Sequence, residues 1–205
     1  MMSGHAEQGS ERLSRQIAFI TEVDKLKGVL RKTSPIGIER RENSAEHSWQ
    51  TVLTALILAE HANEPVDLLR VLKMLALHDI VEVDVLDTFH YDKASRSDLS
   101  AKEEQAARRL FGLLPEDQMQ ECLVLWHEFE ARQTPEARFA VAVDRLMAFI
   151  LNRQNNGGTW REFNICAAEV RDANAHIAQG ADLLWEWAKT VIAEADAAGL
   201  LADSV

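Results

Sequence analysis

The chain contains little that interrupts a helix: four prolines and nine glycines in 205 residues. The stretches between them are rich in Ala, Leu, Glu and Arg, and no sustained apolar–polar alternation marks a strand. Sandwiches and barrels are thereby excluded, and an all-α fold is expected. Cysteine is equally scarce. Cys122 and Cys166 have no paired spacing, so free buried thiols in a reducing compartment are expected rather than a disulfide framework. Basic charge is short too, with a formal net charge of −11. A nucleic-acid polymer or an anionic membrane needs a basic face, so neither is an expected partner. No apolar run is long enough to cross a bilayer, and MMSGHAEQGSERLSRQ lacks the apolar core of a secretory signal. A soluble, cytoplasmic protein is the expectation.

What is present is a chain of ordinary globular composition, 47% hydrophobic and 27% charged, long enough for one domain over 1–205 with a sizeable core. Apolar periodicity predicts helices over 12–30, 45–62, 65–83, 100–113, 115–130, 135–152 and 159–198, the last broken near Gly180. In ENSAEH, Asn43 or Ser44 can cap a helix, with Glu46 placed to close a capping box from Asn43. Pro65, Pro115 and Pro135 sit where a first helical turn tolerates a missing N–H. Between Glu82 and Ser100 the period is lost and turn formers accumulate, which predicts a long loop, and such loops are more often functional than decorative.

LALHDIVEVDVLDT, residues 75–88, carries five ionisable groups among eight apolar residues. On a helix His78 and Asp79 point about 100° apart and Glu82 lies one turn on, so the three fan over one edge. By themselves they could be a solvated helix end beside a core imidazole. They are not alone, however. His47 opens the helix SAEHSWQTVLTALILAE, and Asp144 interrupts the apolar run FAVAVDRLMAFIL. An acid there needs a positive partner. Arg145 is adjacent in sequence, but neighbours one apart do not face each other on a helix, so Arg145 is expected to be a poor partner. Two imidazoles and two carboxylates from three helices make a mixed nitrogen–oxygen site suited to Zn, Mn, Fe or Co, with coordination positions left for water and substrate. A buried ion pair or cap is the bland alternative for Asp144.

His47, then His78–Asp79, then Asp144 resembles the signature of the HD-domain metal-dependent phosphohydrolases. RRENSAEHSW, LHDIVEVDVLDTFHYD, LLPEDQMQECLVLWHEFEARQTPEARFAVAVDRL and NNGGTWREFNI are similar to the subgroup of bacterial 5'-deoxynucleotidases and their eukaryotic HD-domain relatives, over roughly 17–170. The resemblance implies an HD-domain helical bundle and a divalent transition metal (Mn, Co, Zn, Fe or Ni) held by His47, His78, Asp79 and Asp144. It implies removal of the 5'-phosphate from a (deoxy)nucleoside monophosphate, with Glu82 orienting or deprotonating the attacking water. Asp87 would lie by the substrate and help catalysis, and Arg31 would contact its phosphate. A homodimer is implied as well. Leu86 stands where many members carry a glycine, which points to a different loop backbone. Lys32 and Thr33 follow Arg31 in place of the aromatic of the best-known bacterial enzymes. Another phosphate-ester hydrolase of the same fold, and a non-catalytic helical metal-binding or interaction protein, remain open.

Among other candidates, His61, His90, His127 and His176 could enlarge the site. His90 is the nearest in sequence, although a surface loop position is expected for it. Trp126, Phe129, Trp160, Trp185 and Trp187 are expected to pack rather than to stack bases, and Trp49 to pack its own helix inward. Arg40 and Arg41 are expected to be solvated. Leu183, Leu184, Trp187, Val191 and Ile192, at helical spacing, complete the core or form a dimer seam.

Overall fold

The computed structural model describes residues 2–87 and 99–203. They form helices α1 (Met2–Val23), α2 (Ser44–Leu58), α3 (Leu68–Leu77), α4 (Glu82–Val85), α5 (Leu99–Phe111), α6 (Glu116–Ala131), α7 (Pro135–Gln154), α8 (Gly158–Glu162), α9 (Ala167–Asn174), α10 (Ile177–Gly180) and α11 (Asp182–Ala197), with 3-10 turns at Asp24–Gly28, Ala59–His61 and His78–Val81. Among the described residues there is no strand; Leu30–Asn43 and Cys166–Ala202 pair as isolated bridges. No helix is long and apolar enough to cross a membrane.

Local chemistry explains the helix starts. Asn43 caps α2 by accepting from the Glu46 N–H, and the Glu46 carboxylate accepts from the Asn43 N–H in return, as the capping box predicts. Thr134 caps α7 and Pro135 occupies its first turn. Pro65 does not open a helix; Asp67 caps α3 and the helix begins at Leu68. Pro115 precedes α6 as its cap residue rather than entering it. The long carboxyl-terminal helix expected over 159–198 is instead four pieces, because Asn164 and the 175–176 and 181 positions break the period at more places than Gly180 alone.

Helix α7 is the spine. From Ala137 to Asn152 most of its residues are buried, and α2, α3, α6, α8, α10 and α11 pack around it. One apolar cluster joins α3 (Val71, Met74, Leu75) to α7 (Phe139, Val143, Leu146) and Ile177. A second gathers Phe149, Trp160, Val170 and Ile192, and a third holds Ile80, Val81, Leu110, Phe111 and Trp126. Trp126, Phe129 and Trp160 are therefore core residues, as expected. Trp49 is not. It is 65% exposed, because the face of α2 that meets α7 carries Ser44, His47, Ser48, Thr51 and Ala55 and a residue two positions from His47 turns away from it. Cys122 and Cys166 are free and half-buried.

Gly180 ends α10 where that helix lies backbone to backbone on α7. A Cβ there would sit 2.3 Å from the Arg138 carbonyl oxygen and 2.8 Å from the Phe139 Cα. Neither neighbour is a flexible side chain. Gly180→Ala is expected to cost about 1–3 kcal/mol and to lower Tm by roughly 3–10 °C, measured by thermal melting.

Candidate metal centre

Three elements converge under the outer surface of the bundle. His47 stands in the first turn of α2, fully buried; His78 and Asp79 lie in the 3-10 turn that ends α3; Asp144 lies midway along α7. The tightening from α-helix to 3-10 at His78 differs from the regular helix expected, and Glu82 opens a separate short helix. His47 Nε2 is 2.8 Å from Asp144 Oδ1 and 4.0 Å from Asp79 Oδ2. His78 Nε2 is 3.1 Å from Asp79 Oδ1 and 3.6 Å from Asp144 Oδ1. One ligand atom each from His47, His78 and Asp144 lie within 4.8 Å of one another.

His78 provides a direct test of whether a cation fits. The Leu75 carbonyl lies 2.8 Å from its Nδ1, and a carbonyl can only accept, so Nδ1 carries the proton. Nε2 makes no hydrogen bond although it is buried. Its lone pair faces two carboxylate oxygens, an arrangement that requires a proton or a cation between them. The donor set of His47, His78 and Asp144, two imidazoles and a carboxylate, could hold a metal ion.

Arg31 is brought to the same place. Its guanidinium donates to Asp79 Oδ2 at 3.0 Å and lies 3.4 Å from Asp87, 3.6 Å from Glu82 and 3.7 Å from Glu42. Glu82 Oε2 is buried without a hydrogen-bond partner. All of these except Glu42 and His47 line a cavity of about 570 Å³, with Lys32, Thr33, Phe129, Arg145 and His176 among its other walls. The residues expected from sequence (Arg31, His47, His78, Asp79, Glu82, Asp87 and Asp144) thus form one cluster. Arg40 and Arg41 are elsewhere, paired with Glu46 and Glu162. His127 pairs with Glu104 at the surface. His90 and most of the loop expected after Glu82 fall outside the described residues.

Two expectations need correction, and one residue had no expectation attached. Arg145 is a partner of Asp144 after all: its Nε and Nη2 lie 3.1 and 3.0 Å from Asp144 Oδ2. The two Cβ atoms diverge, but three methylenes are long enough to bring the guanidinium back around the helix. Residues 84–85 are helical rather than looped. Leu86 adopts φ 65°, ψ 164°, a region normally left to glycine, at a cost on the order of 1–3 kcal/mol, in the turn that presents Asp87. Glu42 was not anticipated. It is 2% exposed, and Thr33 Oγ1 donates to its Oε2 at 2.8 Å. Its position one residue before the Asn43 cap carries no helical spacing that would have flagged it.

The charges shape the protonation of the cluster. Burial pulls the His78 pKa down, but the Asp79 and Asp144 carboxylates outweigh it and push it up to about 9. Burial and Arg31 likewise oppose His47 protonation, and Asp144 and Glu42 outweigh them. Burial works against the Asp144 carboxylate, yet Arg145 and the imidazoles hold it well below the usual carboxylate range. Glu82 goes the other way: burial, then the Asp79 charge, raise it well above that range, with Arg31 pulling back. Asp87 is raised by burial against the pull of Arg31. Burial, then Arg145 and Arg132, depress His176 to about 4.

These shifts fix a pH dependence for metal-stripped protein. The His78 proton stabilises the fold fully below its unfolded pKa of about 6.5, and that contribution is lost as pH rises through about 9. Neutral His176 acts in the opposite direction: its contribution is complete above about 6.5 and declines as pH falls towards about 4. Chelator-treated protein is expected to melt at least about 4 °C lower at pH 9 than at pH 6.5. Protein loaded with Mn or Co should not show the alkaline decline, since the cation replaces the proton. Parallel alkaline declines with and without metal would remove the cation from this cluster.

The chain is similar to known proteins over most of its length. A family model described as HD domain matches residues 23–185. A 5'-deoxynucleotidase of Bos taurus is 28% identical over 70% of this chain and 66% of its own length, and one of Schizosaccharomyces pombe is 28% identical over 59% and 64%. The alignment therefore spans just under two thirds of those relatives. The crystal structure of a predicted metal-dependent phosphohydrolase from Magnetospirillum magnetotacticum MS-1 is 44% identical, superimposes with a TM-score of 0.89 and covers 94% of this chain and 97% of that one. With most of its length matched by that model, and its paired His–Asp turn set against an Asp from the central helix, the chain belongs to the HD-domain family.

Proposed function

We propose that this protein is a metal-dependent phosphomonoesterase, forming one domain, that hydrolyses the 5'-phosphate ester of (deoxy)nucleoside monophosphates in the cytoplasm. The observation that carries the reading is the convergence of His47, His78, Asp79 and Asp144 with Glu82, Asp87 and Arg31 at one buried cluster beside a cavity of about 570 Å³. That volume lies within the usual range for small-molecule sites. The names of the bovine and yeast relatives support the substrate class, and the Magnetospirillum neighbour supports the reaction class.

His47, His78, Asp79 and Asp144 would hold the cation. When bound there, it supplies Lewis acidity, making a water more acidic and offsetting charge on the phosphoryl oxygens. The protein's own groups do the rest. Glu82 takes the proton of the attacking water; a carboxylate whose surroundings raise its proton affinity is a stronger base than one in solvent. Arg31 presents planar N–H donors to the phosphate. Asp87, whose carboxyl is also held above its ordinary range, gives a proton to the departing 5'-oxygen; Glu82 then releases the proton it took to solvent and Asp87 regains one, which restores the starting state. The bond from phosphorus to the 5'-oxygen breaks, the bond to the water oxygen forms, and nucleoside and inorganic phosphate leave. This accounts for phosphate chemistry in a chain of net charge −11, because the attraction is local.

Purified protein supplied with Mn or Co is expected to release phosphate from a panel of nucleoside monophosphates. Glu82→Gln should retain stoichiometric metal while kcat falls at least about 100-fold. Failure of the metal-loaded wild type to release phosphate from any member of the panel overturns the reading.

The outer face of α2 presents Trp49, Leu53, Leu56 and Ile57, all exposed, on a segment without a charged residue from Trp49 to Leu58. A second copy covering this face accounts for such a stripe on a strongly acidic chain. Sedimentation is expected to report a dimer for the wild type and a monomer for Ile57→Asp, and a monomeric wild type refutes the pairing.

A further inference from the structure

His78 and His47 differ in one respect that the proposed chemistry leaves unexplained. The Nδ1 of His78 has a backbone carbonyl at 2.8 Å. The Nδ1 of His47 has no hydrogen-bond partner, although the residue is wholly buried. For Nε2 to offer a lone pair towards Asp144 and the cation, Nδ1 must carry the proton, and a buried N–H without an acceptor is costly. The nearest carboxylate oxygen is Glu42 Oε2, 3.6 Å away. A movement of about half an ångström brings the pair to ordinary hydrogen-bond length.

Glu42 is built to be at that spot. Its backbone is fixed on both sides, since the Arg31 N–H donates to the Glu42 carbonyl at 2.9 Å and the Glu42 N–H donates to the Thr33 carbonyl at 3.0 Å. The Leu30–Asn43 bridge continues the same short ribbon. Its Oε2 takes the Thr33 hydroxyl at 2.8 Å and lies 3.7 Å from the Arg31 Nε. A carboxylate is expensive to bury, and this one is not itself in the cavity wall but lies behind Thr33 and Arg31, which are. Among the described residues, the side chains that face its carboxylate are Thr33, Arg31 and His47.

We propose that Glu42 is a positioning residue for the metal centre, accepting the His47 Nδ1–H so that Nε2 faces the cation, and tying that ligand to the ribbon that carries Arg31. A carboxylate in this position fixes the tautomer and ring orientation of a metal-ligating histidine and raises its basicity. The inference rests on His47 being a ligand in the proposed function, not on the identity of the substrate.

The test is the affinity of the purified full-length protein for Co(II) and Zn(II), measured by competition with a chromophoric chelator, together with the visible spectrum of the Co(II) form. Glu42→Gln keeps the size of the side chain and an acceptor for Thr33 but removes the charge. It is expected to weaken metal binding about 10- to 100-fold and to shift the Co(II) absorption bands. Glu46→Gln, which alters the helix cap on the same segment, should lower Tm and leave metal affinity within twofold. Should Glu42→Gln fail to fold, Thr33→Val serves instead, with a smaller loss of affinity expected in the same direction. Metal affinity and spectrum unchanged in a folded Glu42 variant, or in Thr33→Val where that variant stands in, overturn the proposal. If the wild type binds metal but hydrolyses no nucleotide, the functional reading fails while this comparison still decides the role of Glu42.

Discussion

Arg31 stands among Asp79, Glu82, Asp87 and Glu42, and nothing else in the fold makes sense until that concentration of charge is balanced. Asp144 adds a fifth carboxylate, with Arg145 as its companion. Two guanidiniums cannot neutralise five acids. Each contact at this range is worth on the order of 4 kcal/mol in a partly polar interior, and each buried ion costs several kcal/mol to desolvate, so the remaining negative charge has to be met. Against their burial, the neighbouring carboxylates raise the proton affinity of His47 and His78, and burial and the Asp79 charge raise that of Glu82. A dication bound where the imidazole nitrogens and carboxylate oxygens meet would offset the same charge. The acidic surface elsewhere is consistent with this, since the positive charge that matters is held inside.

Helix α7 connects this electrostatic problem to packing. It is buried along most of its length because six other helices lean on it, and that same burial makes Asp144 an acid without access to solvent. The close approach of Gly180 to Arg138 and Phe139 fixes the register of α10 against α7. His176, at the start of α10, is thereby set into the cavity wall. The rigidity that positions the centre is therefore the rigidity of the core itself.

Much of this could be read from the chain. The all-helical class follows from sparse proline and glycine and from the apolar period. His47, His78, Asp79 and Asp144 stand out because each is an ionisable residue in an otherwise apolar helix, a conflict that physical chemistry resolves in few ways. Arg31 and Asp87 could be named only through resemblance to a family, since neither lies on a periodic face. Glu42 was illegible: its partners are reached through an antiparallel bridge of two irregular segments, and irregular backbone leaves no repeat in the sequence. Arg145 was misjudged because Cβ direction says little about where a long, flexible side chain ends. Leu86 shows the converse, with local preference overruled by what the turn must present. The breaks in the last third were missed because residues such as Asn164, which adopts φ 52°, look unremarkable in a one-dimensional pattern.

The proposed ligand set is also spread along the chain, from α2 through the end of α3 to the middle of α7. During synthesis the ribosome releases His47, His78 and Asp79 well before Asp144. A nascent polypeptide that ends short of α7 carries imidazoles and an acid but neither the fourth donor nor the helix that holds them apart from solvent. Capture of a cation by these four residues would thus wait for nearly three quarters of the protein to be made, and would coincide with closure of the core rather than precede it.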